Sequence, residues 1–192
     1  MRPRKDPTRR NQILMGLFLA FIMVASSVGF FVGQTPPGAV KYGKYTFTQL
    51  EQGGYQTKIG KQPFMFFFLP QDVETIDFPL EAKTILRGSV VIVTNQPNMT
   101  TLNLQLADQL RFDLRQRLGI TVIPGRTEPD GSPFPVLTCA NASVQEPAII
   151  LEEANATKAD LEGVCLTLRG NESGLYMLRD RLLYEHFGVI HG

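Results

Sequence analysis

The chain is poor in the residues on which most enzymes and cofactor proteins depend. Its 192 residues include two cysteines and two histidines. The cysteines, Cys139 and Cys165, are too far apart for a Cys-X-X-Cys redox pair, and neither has a second Cys or His at metal-ligand spacing. His186 and His191 fall in the last seven residues, where a helix-end cap or a frayed terminus explains them more simply than a metal does. Glycine-rich phosphate loops, the His-Glu-X-X-His helix and the Gly-X-Ser-X-Gly elbow are all missing. No catalytic residue, metal or cofactor is therefore expected. Beyond the first twelve positions, 14 Lys and Arg stand against 17 Asp and Glu. Nucleic acid is not an expected partner, because phosphate binding needs Lys and Arg concentrated on one face.

What is present begins with an anchor. Residues 13–33 read ILMGLFLAFIMVASSVGFFVG without a charge, and 21 residues in a helix span roughly 30 Å of hydrocarbon. Arg2, Arg4, Lys5, Arg9 and Arg10 precede the run against a lone Asp6, which orients the helix with its N-terminus inside the cell. A cleaved signal peptide is the competing reading, given the small residues Ala25, Ser26, Ser27 and Gly29. Its apolar region is usually about 7–15 residues, however, and this one continues through Phe30, Phe31 and Val32. Gly16 and Gly29 are too widely spaced for a close-packing dimer motif. The expected organisation is a cytoplasmic tail over 1–12, a transmembrane helix over 13–33, a linker over 34–44 and one extracytoplasmic domain over 45–192.

Compartment markers agree with that topology. Asn98, Asn141, Asn155 and Asn171 each open an Asn-X-Ser/Thr triplet with no proline in the middle, so they are candidate glycosylation sites. In turns and caps the same residues also serve purely local structure. Cys139 and Cys165 both lie in the outer domain, in short β-like segments, and a disulfide between neighbouring strands is expected in an oxidising compartment. The alternative is a pair of buried free thiols.

The domain reads as α/β, or α+β, with a mixed sheet. Residues 45–48, 55–59 and 64–69 form aromatic and β-branched runs around Gly53-Gly54 and Gly60-Lys61, which predicts a three-stranded meander. The Phe64-to-Leu69 run, too sticky to leave exposed, is expected as a covered central strand or an interface. A short helix over 79–86 precedes an apolar strand over 89–94. Leu102, Leu106, Leu110, Leu114 and Leu118 then recur every four residues, predicting an amphipathic helix that Gly119 closes, with Asp108, Arg111, Arg115 and Arg117 largely on other faces. A strand over 120–123 completes a βαβ unit with parallel strands. Three more short strands follow at 136–139, 148–151 and 164–168. Leu175, Leu178, Leu182 and Leu183 mark a C-terminal covering helix ended by Gly188. Glu152, Glu153, Asp160 and Glu162 suggest a carboxylate cluster, but adjacent residues of a strand point to opposite faces. Arg179, Asp180 and Arg181 read as a surface ion-pair set.

Three segments carry a resemblance: Phe68-Leu69-Pro70-Gln71-Asp72-Val73-Glu74-Thr75-Ile76, the stretch from Cys139-Ala140-Asn141-Ala142-Ser143 to Cys165, and Asp180-Arg181-Leu182-Leu183-Tyr184 leading into Phe187-Gly188-Val189-Ile190. Together they are similar to segments of small single-pass membrane proteins of archaea, in which an apolar helix precedes a two-cysteine outer domain. The resemblance implies a cell-surface location and no particular activity, and it carries no functional residues. The functional expectation is a non-enzymatic binding or assembly component of the envelope, held in the bilayer by residues 13–33 and partnered by an envelope protein. The alternative is a small-ligand-binding or sensing domain that uses the crevice at the carboxyl ends of its parallel strands.

Overall fold

The computed structural model describes residues 15–24 and 38–190. Residues 15–24 form a helix, α1, all of whose residues are exposed. They lie within the 13–33 run, and the other positions of that run are outside the described residues. Among the described residues no helix is long and apolar enough to cross a membrane.

The body of the chain is α/β and contains two sheets. The first is a four-stranded meander in the order β1 (Ala39–Tyr42), β2 (Tyr45–Gln49), β3 (Tyr55–Ile59), β4 (Gln62–Phe66). Its first strand occupies residues expected to be linker. The second has the order β6-β5-β7-β9-β8, with β5 (Val90–Asn95), β6 (Thr121–Arg126), β7 (Ala148–Glu153), β8 (Lys158–Glu162) and β9 (Cys165–Gly170). Strands β6, β5, β7 and β9 are mutually parallel, and β8 returns antiparallel along β9. The expected β5-helix-β6 unit is present, with its strands parallel. A one-turn helix, α2 (Pro70–Val73), follows the meander, and the helix expected over 79–86 is a 3-10 helix, Leu80–Arg87. Residues 136–139 are not a strand. Val136 makes one isolated bridge to Arg126, and Cys139–Asn141 is a 3-10 turn. Four residues that directly follow Pro133 and Pro135 and run into a 3-10 turn have too little uninterrupted backbone to propagate a ladder.

The leucine repeat builds α3 (Thr101–Phe112), continued by a π-helical turn, Asp113–Arg117. A four-residue period drifts about 40° per step on an α-helix, which is why Leu102 at the start is exposed while Leu106, Leu110 and Leu114 are buried. A π turn holds about 4.4 residues and turns the drift back. Leu118 consequently still packs against the core.

The C-terminal helix α4 (Glu172–Phe187) ends, as expected, at Gly188 in the left-handed region, φ 62°. It lies between the two sheets. One side packs against β7 and β9. On the other side Tyr184 stacks on Phe66 at 4.2 Å, Phe47 meets the same ring edge-on, and Phe187 meets Phe64. Leu178 through Glu185 are all buried, so Arg179, Asp180 and Arg181 are not a surface set. The meander covers the helix face that a two-layer reading leaves to solvent.

Those charges seal an edge. The Phe-rich strand β4 is an edge strand of the meander rather than a central one. Its Pro63 carbonyl accepts from Arg117 and its Met65 carbonyl from Arg179 (3.1 Å), while the N–H groups of Phe67 and Phe68 donate to one Asp180 oxygen at 2.6 and 2.9 Å. Arg179 also pairs with Asp113 and with Asp180 (2.5 Å), and Arg117 pairs with Asp113 at 2.9 Å. Two cations and two anions thus balance, all buried except the partly exposed Arg117, and they occupy the backbone groups that an uncovered strand would offer to another chain. Burial pushes the Asp180 carboxyl above its ordinary value, against the pull of Arg179 and the two amides.

Candidate functional site

In an open parallel sheet, the strand order reverses where a first strand sends its successors to opposite sides, and ligands settle outside the carboxyl ends there. That place is the end of β5 and β7. Here the chain fills it with its own side chains. Asn95, fully buried at the end of β5, accepts from Arg111 (2.6 Å) and Arg126 (2.7 Å) through one oxygen. Arg111, expected on another face of its helix, is buried and also reaches the Val93 carbonyl at 3.2 Å. Glu153, at the end of β7, accepts from the Thr100 N–H at 2.8 Å and from the Asn103 amide, while its own N–H donates to Gln96 at 3.0 Å. Thr100 is the N-cap of α3. A helix N-terminus favours an anion, and the Glu153 carboxylate is that anion. Burial pushes its pKa up, but the hydrogen bonds from Thr100 and Asn103 hold it below the usual 4.5.

Glu152 and Glu153 do point to opposite faces. Glu152 faces away from the helices, where Arg169 bridges it at 2.6 Å to Asp160 at 2.7 Å. This second face of the sheet carries a small apolar cluster, Ile92, Ala148, Ile150 and Cys165, against which Ile123, Leu137, Cys139 and Ala142 pack. Its cover is the segment between β6 and β7, and a disulfide between Cys139 and Cys165 ties that segment down, Cα–Cα 5.4 Å. The bond joins a 3-10 turn to strand β9 rather than two neighbouring strands. Beside it a cleft of about 260 Å³ opens over Thr167, Ile150 and Cys139, with Thr127, Glu152 and Arg169 among its walls.

Asn98, Asn141, Asn155 and Asn171 are all exposed. Two of them also act locally: Asn171 caps α4 through the Gly174 N–H (2.9 Å), and Asn141 accepts from the Thr138 N–H (2.9 Å). His186 is half-buried in the last turn of α4, and burial, with Arg87 nearby, lowers its pKa. His191 lies outside the described residues. The residues that sequence reading missed, Asn95, Arg111, Arg126 and Asn103, come from three elements with no shared local spacing. The one available signal was an arginine directly following a core leucine, Leu110.

No family model, no curated protein and no solved structure matches the chain.

Proposed function

We propose that this chain is a membrane-tethered protein of the cell envelope, held by residues 13–33, with its N-terminus in the cytoplasm and its α/β domain outside, and that the domain binds an envelope protein rather than turning over a substrate. The observation that carries this reading is the Cys139–Cys165 bond, with no free cysteine among the described residues. Such a cross-link persists in an oxidising compartment, and only an outward orientation puts the domain there. Two further observations support it. Met15, Leu17, Phe18, Phe21 and Met23 of α1 are 64–75% exposed, an apolar surface that calls for lipid. The four exposed sequon asparagines give glycans room to project. At the expected ligand crevice, Glu153 is engaged by Thr100 and Asn103, and Asn95 by Arg111 and Arg126, so the chain's own groups occupy the place where a substrate would sit.

Intact cells expressing the full chain, treated with an external protease and then fractionated, provide the test. The expected result is a carbonate-resistant membrane protein whose domain is cleaved from outside, with a reproducible envelope partner captured after crosslinking in native membranes. Recovery in the soluble fraction, or full protection from the protease, overturns the topology. Capture of the chain alone overturns the assembly role.

A further inference from the structure

We propose that the cleft beside the disulfide, floored by Thr167 and Ile150, is a binding site for a single neutral sugar ring or polyol. The inference goes beyond tethering and partner binding and stands independently of both.

Thr167 carries the argument. It sits on β9, is 7% exposed and lines the cleft, and its hydroxyl, which is not among the fully buried polar atoms, makes no hydrogen bond to a described residue. A hydroxyl on a side chain this buried, open only toward a cleft, is placed to take its partner from whatever fills that cleft. A second hydroxyl at the same cleft, Thr127 Oγ1, is buried and likewise unpartnered. Two threonines lining one space ask for a ligand that both donates and accepts, as a hydroxyl does.

The charged groups argue for neutrality. Arg169 is already bound to Glu152 and Asp160, and Lys158 holds the other Asp160 oxygen at 2.5 Å. An anion would meet three carboxylates, and a cation would find only the solvent-exposed Glu162 without an ion pair, whereas a sugar hydroxyl can use the lone pairs and N–H groups that the pairs leave over. The carboxylates here, Glu162 at the far wall included, do not gather as metal ligands would. Ile150 and the disulfide offer an apolar patch for the C–H face of a ring, and the disulfide fixes the covering wall before any ligand arrives, which lowers the cost of binding. The volume, about 260 Å³, falls below the roughly 300–1,000 Å³ typical of drug-sized ligands, so the occupant is small.

The full chain in lipid nanodiscs, which avoids glycoside detergents, is tested by saturation-transfer NMR against common free hexoses, N-acetylhexosamines and inositol, with putrescine and acetate as charged controls. At least one neutral sugar or polyol should receive saturation at millimolar concentration. Its affinity should fall about fivefold in Thr167→Val, the loss of one hydrogen bond to a neutral group, and fall also in Thr127→Val. The exposed Thr84→Val variant should bind as the parent does. No transfer to any neutral ligand, binding unchanged in both cleft variants, or preferential binding of putrescine or acetate overturns the proposal. Thermal unfolding of each variant separates lost binding from lost fold.

Discussion

The two faces of the five-stranded sheet are closed by different physics. On one face Val91, Val93, Ile149, Leu151, Leu166 and Leu168 join a continuous core that runs through α3 and α4 to the aromatic rings of the meander. The other face has four buried apolar residues and a covering segment with little regular structure, pinned by one covalent bond. Burial stabilises in proportion to apolar area, so the first face needs no staple and the second does. The cost of the first arrangement is that a helix covered on both sides must neutralise every charge it buries, and α4 does so through the Arg179–Asp113–Asp180–Arg117 set and the Arg181–Glu185 pair.

The largest expected effect follows from that cost. Arg179→Met leaves Asp113 and Asp180 buried without their shared cation and frees the Met65 carbonyl, which should destabilise by about 3–5 kcal/mol. Chemical denaturation of the full chain measures it, and a loss below about 1 kcal/mol would mean that the network does not hold the meander. Next comes removal of the staple. Cys139→Ser with Cys165→Ala opens a loop with a sequence separation of 26 and should cost about 3 kcal/mol in the chain-entropy argument. Hydrogen exchange sharpens the contrast between the faces: amides over 127–147 should lose protection while those of α4 keep theirs. Equal loss on both faces would break the comparison.

A glycine on the strongly packed side gives the third. Gly174 sits in the first turn of α4, where alanine ordinarily stabilises a helix by about 1 kcal/mol. A Cβ at that position would stand 2.2 Å from Thr157 Oγ1, so the sign should invert, with Gly174→Ala destabilising by about 2 kcal/mol. An unchanged or raised melting temperature would show that the β8 end yields to α4 more easily than this contact implies.

Much of the fold was legible because it is written in short-range patterns. The glycine-punctuated runs of the meander, the apolar strand β5, the four-residue leucine period and the Gly188 stop each signal a local element, and those elements formed. What was not legible depends on what lies beyond an element. Arg179, Asp180 and Arg181 look like a solvated helix face until a second sheet covers it, and nothing within α4 announces that sheet. The edge position of β4 is hidden for the same reason, since its phenylalanines look alike in a central strand and in an edge sealed by arginines. The site at the end of β5 draws Asn95, Arg111 and Glu153 from three elements, and only their juxtaposition gives them meaning. Glu152 and Glu153 were separable because strand alternation is itself local.

The smallest effect tests whether the crevice at β5 and β7 is truly closed by the chain. Glu153 stands at the N-terminus of α3 with its folded pKa depressed below 4.5, because the hydrogen bonds from Thr100 and Asn103 outweigh the upward push of burial. A group with a depressed folded pKa adds stability that is fully present above its unfolded value and is lost as pH falls through the folded one. Glu153→Gln, which keeps the shape and removes the charge, should therefore cost about 1 kcal/mol at neutral pH. It should also show a shallower loss of stability than the parent as pH drops below about 4.5. If the two proteins instead share both the neutral stability and the acid limb, the carboxylate does not hold the helix end. The N-terminus of α3 would then be open to an external anion, and the case for a ligand at the strand ends would return.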